Sequence, residues 1–180
     1  VGDGSSKKSA AVLQDLSKHL WENREAFDGK GVPLEEALIS IKKESSRTCL
    51  LDMGDNVGGG SPADGTLIAH GLLKHQIPGS FVCLYDPESV HQAKHSGIGS
   101  RIILEMGGKT DDLHGPPLSA EVLVEGFYEG VFHEKQPRHG GSTHFDQGQT
   151  AVVSCDTGLT VMLTSKRMAP FSLEQLRSCG

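Results

Sequence analysis

The chain has 180 residues, enough for one domain with a substantial core; 36% are hydrophobic and 22% charged, the profile of a soluble globular protein. A formal net charge of −6 with no basic run argues against nucleic acid as the main partner, and no stretch approaches the roughly 18 apolar residues of a membrane span. Cys49, Cys83, Cys155 and Cys179 show no CxxC spacing, which argues against a structural zinc site. The first three lie in apolar runs and read as reduced core residues, pointing to a reducing, cytoplasmic setting.

Residues 6–27 read as an amphipathic helix, with Val12, Leu13, Leu16, Leu20 and Trp21 at helical spacing. Asp28-Gly29-Lys30-Gly31 breaks it. Pro33 then opens a second helix whose buried face is Leu34, Ala37, Leu38 and Ile41. Thr48–Met53 reads as a first strand. The glycine-rich loop Asp52–Thr66 follows, and Ser61-Pro62-Ala63-Asp64 has the form of a capping box for a helix running to about His75. Phe81–Tyr85 is a second strand. Asp86 caps a helix that Gly97 ends, and Arg101–Glu105 is a third strand.

The second half is β-rich, with strands expected over Glu121–Tyr128, Thr150–Cys155 and Leu159–Thr164. Asp156-Thr157-Gly158 forms a hairpin loop between the last two. His133–Gln149 shows no periodicity and reads as a long loop; a final helix begins at Ser172. The fold class expected is α/β: a β-α-β-α-β parallel core, then a hairpin-rich half, giving a mixed sheet with helices packed on it. Residues 1–46 form a helical lead-in and 47–180 the α/β domain. The start at Val1-Gly2-Asp3 and the end at Gly180 suggest a piece of something longer.

The glycine loop is the leading candidate site. Asp55, Asn56, Gly58, Gly59, Gly60 and Asp64 form a polar set beside backbone amides, at the position where α/β sheets place ligands. With Asp52, Asp55 and Asp64 and no Lys or Arg, the loop suits a metal-bound, amide-bearing or cationic group better than a bare phosphate. For Asp64, the bland reading as a cap residue is favoured. The turn Gly107-Gly108-Lys109-Thr110 lacks the spacing of a phosphate loop, but it follows the third strand and so belongs on the same edge as the glycine loop. His133, Glu134, His139, His144 and Asp146 have metal-binding side chains at no recognised spacing; His139, His144 and Asp146 are the metal-site alternative. His91 and His95, four apart, share a helix face; such a pair can bind a metal ion, but it reads foremost as an exposed polar surface.

The motif at 55–66, Asp55-Asn56-Val57-Gly58-Gly59-Gly60-Ser61-Pro62-Ala63-Asp64-Gly65-Thr66, resembles the DNPGGGxPGDGT motif of the C-terminal domain of the microcystinase C (MlrC-like) family, the M81 zinc metallopeptidases. Val57 stands where that motif carries proline. Asp86-Pro87-Glu88, Gly107-Gly108-Lys109, Gly115-Pro116-Pro117-Leu118 and Thr164-Ser165-Lys166-Arg167 follow in the family order, so the resemblance covers nearly the whole chain. It implies a C-terminal domain that forms one wall of the cleft of an enzyme hydrolysing small linear peptides. Zinc would be held by an N-terminal partner domain and no cofactor by this chain alone, which would be inactive by itself. No catalytic residue is assigned. Asp55→Ala in the whole enzyme is expected to lower turnover with little loss of stability. The alternatives are a non-catalytic module binding a small ligand or a protein, and an autonomous metalloenzyme built on the histidine-rich loop.

Overall fold

The computed structural model describes residues 4–180, so Val1-Gly2-Asp3 lie outside the described residues. The chain divides into two compact units, 1–32 and 33–180.

The first unit holds helix α1 (Ser6–Glu22), whose N-cap Ser5 accepts the Lys8 N–H, and a 3-10 turn, Arg24–Phe27. The turn explains why the sequence pattern runs on to Phe27, although the α-helix stops at Glu22. No residue of α1 is buried.

The second unit contains helices α2 (Leu34–Ile41), α3 (Leu67–Lys74), α4 (Pro87–Ser96) and α5 (Leu173–Arg177). Its strands are β1 (Ser80–Tyr85), β2 (Arg101–Met106), β3 (Leu118–Tyr128), β4 (Val131–His133), β5 (His144–Asp146), β6 (Thr150–Ser154) and β7 (Leu159–Thr164). A five-stranded mixed sheet has the order β1-β7-β6-β3-β2, and β4-β5 form a separate ribbon. Only β1 and β7 are parallel, with Ser80 opposite Leu159; the other pairs are antiparallel. The expected class, a mixed α/β sheet with packed helices, is the one observed.

The strand succession differs from the expected one. Residues 48–53 form no strand, which leaves Cys49 exposed rather than in the core. The partner of β1 is β7, so the parallel contact joins strands distant in sequence. β-Propensity fits a segment to a pleated surface but does not choose its neighbour. Strand β3 is shared: Leu118–Leu123 pairs with β2 and Leu123–Tyr128 with β6, with a bulge between Val124 and Gly126. Bulges bend a strand and increase its twist.

The core alternates along β3, where Leu118, Val122 and Val124 are buried, and is almost continuous along the interior strand β7. Val90 and Ala93 of α4, and Ala69 and Leu72 of α3, pack into the same cluster. Leu38 of α2 joins them fully buried, and it fits because residue 71 is glycine: a Cβ there would stand 2.5 Å from Leu38 Cδ1. Each such aliphatic side chain contributes about 1.5–3 kcal/mol by leaving water.

Candidate functional site

The glycine loop is built on its own acids. Asp52 Oδ1 accepts the N–H groups of Gly54 and Asp55, at 2.9 and 3.3 Å, closing a turn. Asp55, half-buried, spans the loop: Oδ1 accepts Ala63 N–H and Oδ2 accepts Gly65 N–H, each at 2.7 Å. Ala63 is thereby held at φ +68°, a region costly for a non-glycine residue, while its carbonyl takes the Tyr85 N–H at 2.8 Å. The tip, Val57–Gly59, is a 3-10 turn closed by Gly60 at φ +101°. Asn56 and Gly58–Gly60 are exposed, and the Asn56 carbonyl accepts Gly59 N–H at 2.8 Å.

Two sequence-based assignments change here. Helix α3 begins at Leu67 with Thr66 in the cap position, so Ser61 and Asp64 form no capping box. Ser61 instead donates to the Gly54 carbonyl at 3.1 Å. Asp64 is only 2% exposed. Its Oδ2 accepts the N–H of Lys109, the N–H of Thr110 and the Thr110 hydroxyl, at 2.9, 3.0 and 2.9 Å, and its Oδ1 is buried without a hydrogen-bond partner. Competition from distant backbone donors decides the role of such an acid, and that is invisible to a local motif.

The turn after β2 therefore meets the glycine loop. Gly108 N–H donates to the Asp64 carbonyl at 2.7 Å, and Thr66 N–H to the His114 carbonyl at 2.9 Å. Gly107 has φ +62°, and a Cβ there would lie 2.6 Å from the Asp64 carbonyl oxygen, so both conformation and space demand glycine. Thr66 Oγ1 and His70 Nε2 both donate to the Pro116 carbonyl, at 2.7 and 3.0 Å.

Beneath this junction lies an ionic knot. Asp86, 2% exposed, caps α4 by accepting Ser89 N–H (3.0 Å) and Oγ–H (2.7 Å), and also accepts Gly107 N–H at 2.9 Å. The Lys109 ammonium stands 3.0 Å from Asp86 and 3.1 Å from Glu88. Burial alone would raise the pKa of Asp86, but the donors from Ser89, Gly107 and Lys109 outweigh it and hold the carboxyl below its ordinary range. The same partners raise Lys109 against the opposing effect of burial.

His114 is the residue the sequence reading missed. Its Nδ1 lies 2.8 and 2.9 Å from the two oxygens of Asp111, and its Nε2 lies 3.3 Å from the Gly54 carbonyl. All are acceptors, so the imidazolium satisfies both sides, and the Asp111 hydrogen bond raises its pKa. The available signal was an Asp and a His three apart in a turn next to the glycine loop.

The histidine-rich segment is not the featureless loop expected: β4 and β5 pair within it, setting Phe132 opposite Phe145 and His133 opposite His144. The rings of His133 and His144 meet edge to face at 4.2 Å. Asp146 is engaged by Lys166 and by Gly148 N–H, and Glu134 is buried against Arg138. The side chain of His139 lies outside the described residues. Among the described residues no group of three His, Cys, Asp or Glu side chains is placed to hold a metal ion. The described donors therefore do not by themselves supply the three protein ligands and open position of a catalytic zinc.

Fold and loops together define a mixed α/β domain that presents a glycine-rich turn clamped at its base by the half-buried Asp55 and joined to the turn after β2 by the buried Asp64. Residues 50–180 match the family model described as MlrC C-terminus, and the chain belongs to that family. It is also similar to the crystal structure of a candidate metallopeptidase from Mesorhizobium sp. BNC1. The TM-score is 0.81 and the identity 28%, over 92% of this chain and 33% of that one, so the chain spans about a third of that relative's length. No curated protein matches it. No helix among the described residues is long and apolar enough to cross a membrane.

Proposed function

We propose that this chain is the part of a larger zinc metallopeptidase that closes one side of the substrate cleft, the substrates being small linear peptides. The observation that carries this reading is the exposed turn Asn56–Gly60, carried on a loop whose base Asp55 clamps through Ala63 and Gly65. Preorganised backbone and amide groups on a rigid support are what a peptide-binding wall requires. Membership of the MlrC C-terminal family and the similarity to a candidate metallopeptidase three times as long support it.

A metal bound elsewhere in such an enzyme would supply Lewis-acid polarisation of the scissile carbonyl and a lowered water pKa. The rest of the polypeptide, an N-terminal metal-binding domain, would bring it, since the donors described here do not form a site. Within this chain, the Asn56 side chain and the Gly58–Gly60 backbone would hydrogen-bond the peptide. Asp55 and Asp64 act as positioning residues: the Asp55 carboxylate is spent within the glycine loop, and that of Asp64 ties the loop to the turn at Lys109-Thr110. Four free cysteines fit a reducing compartment such as the cytoplasm.

The test is Asn56→Ala in the full-length enzyme, assayed on a peptide library. The expected result is a loss of turnover of at least tenfold with an unchanged melting temperature. Wild-type kinetics would refute the wall and favour a binding module with another surface.

A further inference from the structure

Helix α4 carries two histidines that the glycine loop does not use. Ser89, Val90 and Ala93 bury one face of α4. His91 and His95 leave the helix one turn apart and are exposed. Their ring centroids are 4.1 Å apart, with planes tilted by 43°.

The Nδ1 of His95 lies 3.0 Å from the backbone carbonyl of His91. A carbonyl only accepts, so Nδ1 carries the proton and donates, and the Nε2 of the neutral ring is left as a lone pair facing solvent. A ligating histidine is oriented in just this way, by a backbone bond to its other nitrogen. The exposed pair on the β4-β5 ribbon lacks this feature: the partner of His144 Nδ1 is the Thr143 hydroxyl at 3.0 Å, which can donate or accept.

We infer that the outer face of α4 is a two-imidazole site for a late first-row divalent cation, Zn2+, Ni2+ or Cu2+. His95 binds through Nε2 and His91 through a ring nitrogen, with water in the remaining positions. Imidazole selects these ions, while Mg2+ and Ca2+ require oxygen ligands. Two protein ligands make the site exchangeable. It is distinct from the catalytic zinc of the proposed enzyme, and its failure would leave that reading intact.

The experiment is calorimetric titration of the 180-residue chain with NiCl2, and separately with ZnCl2. The panel is the wild type, His91→Ala, His95→Ala and a His133→Ala/His144→Ala control. One Ni2+ per chain is expected, weakened at least tenfold in each α4 variant and unchanged in the control. Paramagnetic broadening by Ni2+ in the unaltered chain gives a readout that does not depend on the folding of a variant, and it should centre on the amides of residues 91–95. Absence of Ni2+ binding, retention in both α4 variants, or broadening centred on the ribbon would overturn the assignment.

Discussion

Asp55 reaches across ten residues to hold the backbone N–H of Gly65 at 2.7 Å, and Gly65 has no side chain because a Cβ there would lie 2.8 Å from the same carboxylate oxygen. The pair fixes the two ends of the glycine loop against each other. An acid expected to face the substrate is therefore first of all a clamp.

Asp55→Ala should consequently cost stability, contrary to what the sequence alone implied. Two charge-assisted bonds vanish and Ala63 loses part of what holds it at positive φ. Each such bond is worth about 1.5–3 kcal/mol when buried and less at this half-buried site, so a loss of about 2 kcal/mol is expected. Urea denaturation measures it; an unchanged midpoint would show that the clamp is dispensable.

Gly107→Ala should destabilise the domain by about 2–3 kcal/mol, summing the cost of positive φ and of overpacking against the Asp64 carbonyl. Gly29→Ala, where a Cβ meets nothing within 4 Å, is the control and should leave the melting temperature unchanged.

Lys109→Met removes the cation beside a buried carboxylate. Ser89 and Gly107 still donate to Asp86, so the expected cost is about 1–3 kcal/mol rather than the larger value for a stranded charge. The folded-state pKa of Asp86 is depressed, so its contribution is present above the unfolded carboxyl range and is lost as pH falls through the folded value. Acid denaturation of the variant should begin at higher pH than that of wild type; coincident acid transitions would exclude Asp86 as the sensitive group.

His114 should titrate above its ordinary value of 6.5, because Asp111 stabilises the imidazolium and the nearby Asp55 adds to the effect. A raised folded pKa means its contribution is complete below the unfolded value and fades as pH rises through the folded one. Ring NMR of wild type and Asp111→Asn should show the midpoint fall in the variant, and the protection factor of the Thr66 amide, corrected for intrinsic exchange, should fall as His114 deprotonates. A wild-type midpoint at or below 6.5 would contradict the geometry.

The periodicity of residues 81–85, 101–105 and 159–164, the Asp86 and Ser172 caps and the Gly158 hairpin are local properties, and the sequence determined them by itself. The same holds for the order of glycine, proline and aspartate motifs that marks the family, since each depends on neighbours within a few residues. Strand pairing, the absence of a strand at 48–53, the employment of Asp55 and Asp64 and the contact of His114 with the Gly54 carbonyl were decided only by the tertiary structure. A carboxylate goes to whichever donors the fold brings near, and those on Lys109, Thr110 and Gly65 lie 10 to 46 residues away. The exposed tip at Asn56–Gly60 was legible because glycine repeats announce an unusual backbone. What holds that tip in place was not, because long-range hydrogen bonds leave no spacing in the chain.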